Sequence, residues 1–218
     1  MPTVLASAIL AKARVVLQDA TAVRWLDAEL LGWINDGQRE IAMARPDLTS
    51  KTVSVALIAG TRQALPSDGM MLVKVSRNMG AGGATPGEAI RKVPIDLMDS
   101  QRPTWHSETA AAVTKHYLYD PRAPRVFFVW PPATGSTQVE IAYSASPVDV
   151  ATVGTVITVD DVYATPLLDY VLFRAYSKDL ELAANVERAA AHRAAFGQAI
   201  SVKVQTDGAL VSADSIRG

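Results

Sequence analysis

The chain contains no cysteine. Disulfides and thiolate metal centres are therefore excluded. Histidine is scarce: His106, His116 and His192 are the full set. None has a second histidine or a carboxylate at ligand spacing, so no metal site is expected. An excess of charge of either sign is also missing, with 21 Lys and Arg against 22 Asp and Glu. The balance holds locally: five basic and six acidic residues over 1–48, ten and nine over 49–160, five and five over 161–203. No segment carries the basic excess that tight nucleic-acid binding demands. So small a net charge opposes self-association weakly. Apolar runs long enough to cross a membrane, roughly 20 residues, are absent from the sequence. The start, M-P-T-V-L-A-S-A-I-L, lacks a charged leader region, and Lys12 and Arg14 interrupt the apolar run that follows. It reads as a helix and not as a signal peptide. No G-x-S-x-G, P-loop or H-E-x-x-H occurs, and no catalytic constellation is expected.

What is present is helix at both ends and strand in the middle. At 218 residues the chain can bury about 70% of its unfolded surface, enough for one good core or two small ones. Leu5, Ile9, Ala13 and Val16 or Leu17 make one stripe of a first helix that Thr3 could cap. Leu30, Ile34, Gly37 and Ile41 line a second helix, capped by Asp27 and stopped by Pro46. Leu167, Leu168, Val171, Leu172, Ala175, Tyr176 and Leu180 make the broad face of a third, with Thr165 as cap and Pro166 at its first position. Asn185 could cap a final alanine-rich helix with Val186, Ala189, Phe196 and Ile200 at helical spacing.

Between the helices the period changes. Thr52 to Leu57, Leu72 to Arg77, Ile90 to Val93 and Gln138 to Tyr143 read as strands. Lys115 to Tyr119 and Arg125 to Trp130 flank a turn as a hairpin-like pair that Pro131 and Pro132 should end. Met79 to Gly87 reads as a flexible exposed loop, and Pro94 to Ser100 as one helical turn. The expected fold is α+β. A discontinuous helical bundle takes residues 1–48 and 156–203, with a small antiparallel β barrel or sandwich inserted over 49–155. Residues 204–218 read as an extended tail without a fold of its own.

Several features could carry chemistry. Gly80, Gly82, Gly83 and Gly87 do not open a helix after a strand, so a loop outweighs a phosphate cradle. Asp149, Asp160 and Asp161 could pair as carboxylates, but aspartate at a helix start is the plainer account. Trp25 and Trp33 bracket an amphipathic helix and read as core or subunit anchors. Trp105 and Trp130 leave open a carbohydrate-binding module that stacks sugars on exposed rings; a small hydrolase is the weaker alternative. No catalytic, cofactor or metal residue is expected. In the tail, Leu210, Val211 and Ile216 could anchor a partner.

R-W-x-x-x-E-L-L-x-W-I-N-D-G-Q-R-E-I (Arg24 to Ile41), R-P-D (Arg45 to Asp47), Q-x-L-P-x-D-G (Gln63 to Gly69), P-x-W-H (Pro103 to His106), the prolines after Trp130 and V-Y-A-x-x-L-L-D-Y-V-L-x-R-A-Y-S-K-D (Val162 to Asp179) occur in that order. Together they resemble the tailed-bacteriophage head-to-tail adaptors, or connectors, typified by tail tubular protein A of short-tailed phages. The resemblance implies a non-enzymatic virion protein of the neck, assembled in the host cytoplasm. It implies a ring of twelve copies below the portal, docked to the portal and to a tail or nozzle protein, with double-stranded DNA passing through the lumen. It also implies that residues 204–218 reach into the portal.

Overall fold

The computed structural model describes residues 2–179 and 183–215, without the side chains of Ala183 and 202–215. The chain divides into two compact units, Met1–Leu48 with Pro147–Gly218, and Thr49–Ser146. The described residues form five α-helices and two four-stranded sheets in an α+β fold. No described helix is long and apolar enough to cross a membrane.

In the helical unit, α1 (Ala6–Leu17) and α2 (Asp27–Ala44) precede the β insert, and α4 (Ala164–Lys178) and α5 (Ala183–Ser215) follow it. An isolated helix end leaves four amides without partners. At α1 these are met by backbone from far along the chain: Ala6 donates to Thr155 O at 2.9 Å and Ser7 to Val153 O at 2.8 Å. Thr3 therefore does not cap α1. Its amide and hydroxyl, with the Val4 amide, donate to the Asp161 carboxylate. These bonds, led by the Thr3 hydroxyl, hold the Asp161 carboxyl below the usual carboxylate range.

The turn from α1 to α2 is organised by Asp19, which is 8% exposed. Its carboxylate accepts from the amides of Val23 at 2.9 Å and Trp25 at 2.8 Å, and faces the Arg14 guanidinium. Burial alone would raise its pKa. The amides of Trp25, Val23 and Arg24, with Arg14, more than offset that and hold it low. Asp27 opens α2 as its first helical residue, after Leu26, and pairs with Arg14 instead of capping.

α4 is the helix on which α1, α2 and α5 all pack. It starts earlier than the cap rule predicts. Asp160 accepts from the Val162 amide and begins a single 3-10 turn, Asp161–Tyr163, which runs directly into α4. Neither Thr165 nor Asp161 is the cap. Leu167, Val171, Leu172 and Ala175 are at most 2% exposed. Gly37 lets α2 lie close to α4: a Cβ there would come within 2.9 Å of Leu167 Cδ2 and 3.2 Å of the Tyr170 ring.

Two amide side chains one turn apart on α2 hold the segment that returns from the insert. Asn35 Oδ1 accepts from the Val150 amide at 2.8 Å, and its Nδ2 donates to Val150 O at 3.2 Å. Gln38, 1% exposed, accepts from the amides of Thr158 and Val159 and donates to Asn35 Oδ1.

α5 is 33 residues long and enters the core through Ala189, Phe196 and Ile200. Asn185 lies inside it instead of capping it, and donates to Asp179 O at 2.9 Å. The helix also continues through Ser215, where the sequence pattern ends at about 203. Elongation adds a hydrogen bond for each residue fixed, and the single Gly208 costs only about 1 kcal/mol.

In the β unit the strands are β1 (Ser50–Ala56), β2 (Gly60–Ala64), β3 (Gly69–Met79), β4 (Pro86–Ala89), β5 (Arg91–Lys92), β6 (His116–Leu118), β7 (Val126–Ala133) and β8 (Gln138–Ala145). One sheet has the order β1-β8-β3-β4 and the other β2-β7-β6-β5. Neither closes into a barrel. Val75, Val139 and Ile141 of the first sheet share one apolar cluster with Phe127, Val129 and Tyr117 of the second. β7 does not end at Trp130. It continues through Pro131 and Pro132, which fall in a bulge where pairing with β2 jumps from Arg62–Phe128 to Gly60–Ala133. A bulge is where a strand tolerates residues that cannot donate. The other face of β7, Phe128 and Trp130, packs with Trp105, Leu118 and Met98 of the short helix α3 (Ile95–Gln101).

Gln38→Leu removes an acceptor from two amides and should cost about 1–3 kcal/mol, read as a lower urea midpoint. A second expectation concerns acid. Asp19 titrates lower folded than unfolded, so its contribution is complete above the ordinary carboxylate pKa of about 3.9 and is lost as pH falls through the folded value. The stability gap between wild type and Asp19→Asn in urea melts should therefore be widest at pH 7 and shrink below pH of about 4.

Candidate interaction surfaces

The residues that could carry chemistry are each committed elsewhere. Arg39 Nη2 donates to both oxygens of Asp149, at 2.6 and 2.7 Å, while its Nη1 donates to Asp36. Asp160 starts the turn before α4, and Asp161 holds the segment before α1 through Thr3 and Val4. The three aspartates thus have three separate partners. Gly80 to Thr85 form the connection from β3 to β4, closed by Gly80 donating to Thr85 O at 2.7 Å, and Gly87 lies within β4. A short 3-10 turn, Ala81–Gly83, replaces the expected open loop, and Gly82 and Gly83 take φ of +79° and +73°.

His106 stacks on Trp105 at 3.6 Å and its Nδ1 meets Thr61 Oγ1 at 2.8 Å. His192 Nδ1 meets Asp169 Oδ1 at 2.9 Å, and its ring lies parallel to Tyr176. His116 stacks on Trp130; burial first, then Arg91 and Lys115, push its pKa below the usual histidine value. Among the described residues no three metal-ligating side chains converge.

The tryptophans overturn the sugar-platform reading. Trp25, Trp33 and Trp105 are buried at 4%, 7% and 1% exposure. Trp130 is half-buried and already occupied: Arg102 lies 4.7 Å and Lys115 5.9 Å from its centroid, and its indole N–H donates to Glu108 at 2.9 Å. A stacking platform needs a free ring face, and none of the four rings offers one.

What the surface does offer is clefts lined by paired charges. In the helical unit a cleft of about 580 Å³ lies among Val16, Arg24, Trp25, Tyr176, Asp179 and Arg188. Arg24 pairs with Asp179 at 2.6 Å and also covers Trp25, whose ring Lys178 approaches to 5.2 Å. Arg188 covers Tyr176. Val23 and Leu26, in the neighbouring α1–α2 turn, are 80% and 61% exposed. In the β unit a cleft of about 550 Å³ lies among Lys92, Ile95, Asp96, Tyr119, Asp120 and Arg122. Salt-bridged charges around exposed apolar side chains suit contact with another macromolecule. Of the tail anchors, Leu210 and Val211 fall on the α5 backbone, but their side chains, like the whole of Ile216, lie outside the described residues.

Sequence reasoning passed over Asn35 and Gln38. The signal was a glutamine set among the apolar positions Ile34, Gly37 and Ile41, where a buried amide must find partners.

Residues 5–215 match the family model described as SU10 adaptor protein. No curated protein matches the chain. The family's place is the head–tail junction of the virion, among other phage head and tail proteins. With nearly its whole length matched, the chain belongs to the SU10 adaptor protein family of phage structural adaptors.

Proposed function

We propose that this chain forms a ring of twelve copies beneath the portal, resembling tail tubular protein A of short-tailed phages, and that the ring extends the DNA channel and docks the tail or nozzle. It assembles in the host cytoplasm and acts in the neck of the virion, with a structural and not a catalytic role. The observation that carries this reading is the family match over 5–215. Two physical features support it. Balanced charge suits a conduit, since a basic wall would grip DNA through counterion release. Helix α5, at 33 residues, also runs about 50 Å against about 22 Å for the 15 residues of α4 on which it packs. A helix that outruns its neighbour has length to offer a partner.

The portal contact is assigned to residues 204–218, with Leu210, Val211 and Ile216 as anchors. Deleting 204–218 should leave the melting temperature nearly unchanged and strongly reduce capture by the portal ring. The measurement is cryo-microscopy or pull-down of the portal with full-length and shortened protein. Equal portal occupancy by both forms would move the contact to the part of the helical unit before residue 204.

A further inference from the structure

Helix α1 is apolar on two opposite faces. Ala6, Ile9, Leu10 and Ala13 are buried in the core. On the other side Ala8, Ala11, Lys12 and Val15 fall within about 100° of arc, at 3.6 residues per turn. All four are exposed, Val15 at 79%. Arg14, the helix's other charge, is turned away toward Asp19 and Asp27. The outer face therefore carries one charge, Lys12, which has no ion pair among the described residues. A helix apolar on both sides is normally covered on both sides.

The same unit holds a face of matching character. On α5, beside the buried Ala189, Phe196 and Ile200 and centred about 110° around the helix from them, lie Val186, Glu187, Ala190, Ala194, Gly197 and Ser201, all exposed and again within about 100° of arc. Val186 is 51% exposed. The single charge is Glu187, also without an ion pair among the described residues. One face is apolar with a lone cation; the other is small and apolar with a lone anion. Small side chains let helix axes come close.

We infer that the outer face of α1 packs on the α5 face of a second copy of this chain, with Lys12 opposite Glu187 of that copy. This rests on the ring reading and names its subunit contact. Two different faces on one unit make a head-to-tail contact, the kind that closes into rings. One helix pair covers less than the roughly 1,200–2,000 Å² of a stable binary complex. Assembly should therefore be weak for a pair and favoured on closure, where every copy makes the contact twice.

The absence of cysteine makes a clean test. Ala11→Cys and Ala194→Cys are made as separate proteins and oxidised alone and mixed, with and without portal. A disulfide-linked dimer should form in the mixture and not in either protein alone. Lys12→Glu and Glu187→Lys should each weaken assembly at least tenfold in sedimentation velocity, and the two together should restore it. Rings that tolerate each reversal made alone, with no mixed dimer, would overturn this contact and leave the ring standing. Dimers from either single protein would show a symmetric contact in its place. A chain that stays monomeric at all concentrations, with portal present, would overturn the ring as well.

Discussion

The helical unit depends on a reciprocal amide contact between α2 and the segment that follows the insert. Asn35 both accepts from and donates to Val150, while Gln38 takes the amides of Thr158 and Val159. That segment has no strand ladder or helix of its own in which to satisfy its backbone. The side-chain amides act as a substitute strand edge, offering acceptor and donor at the right spacing. Once held there, the segment supplies Thr155 O and Val153 O to the start of α1, and Asp161 to Thr3 and Val4. The beginning of the chain is thus placed by residues some 150 positions later, through α2.

The same device recurs in the β unit. Asn78, 6% exposed, donates to Thr114 O at 2.7 Å and accepts from the Thr114 amide at 2.8 Å. Gln63 does likewise with Ile58, at 2.8 and 2.9 Å. Irregular backbone is costly to bury unless it is bonded. Here the chain buries it repeatedly by lending amide side chains, two to the segment after the insert and one to each of the others. This is a rigid solution, because a two-way amide contact fixes both distance and orientation.

Elements with strong periodicity were legible in the sequence. The face of α2 and that of α4 follow from apolar spacing alone, and Pro46 does end α2 where the preceding-residue rule puts it. The alternation in Gln138 to Tyr143 is β8, with Val139, Ile141 and Tyr143 inward. Helix starts were less legible. Thr3, Asp27, Thr165 and Asn185 are all good capping types, yet at α1 long-range partners took both the helix beginning and its expected cap, Thr155 O and Asp161, while Asn185 turns back to nearby Asp179. A local rule cannot see an acceptor delivered from another part of the chain. The unbroken apolar run Phe127 to Trp130 did carry a readable message, since a strand covered on both faces loses its alternation. Of the interaction surfaces, the exposed face of α1 follows from its period once the buried face is known. The commitments of Trp105 and Trp130 do not, because they rest on α3, Glu108 and Arg102 meeting around the rings.

The insertion of the β unit between α2 and α4 has a consequence for synthesis. Thr49–Ser146 is one continuous stretch and can complete its core as soon as it has left the ribosome. The helical unit cannot. α1 and α2 emerge first, with Ile9, Leu30, Ile34 and Ile41 bare, and their covering helix α4 is still about 120 residues away. At about 5–20 residues per second, those apolar faces stand open for some 6–24 seconds. The sticky outer face of α1 is exposed over the same interval. The proposed partner face lies on α5, the last element to be made, so the order of translation itself sets a limit on how early assembly can begin.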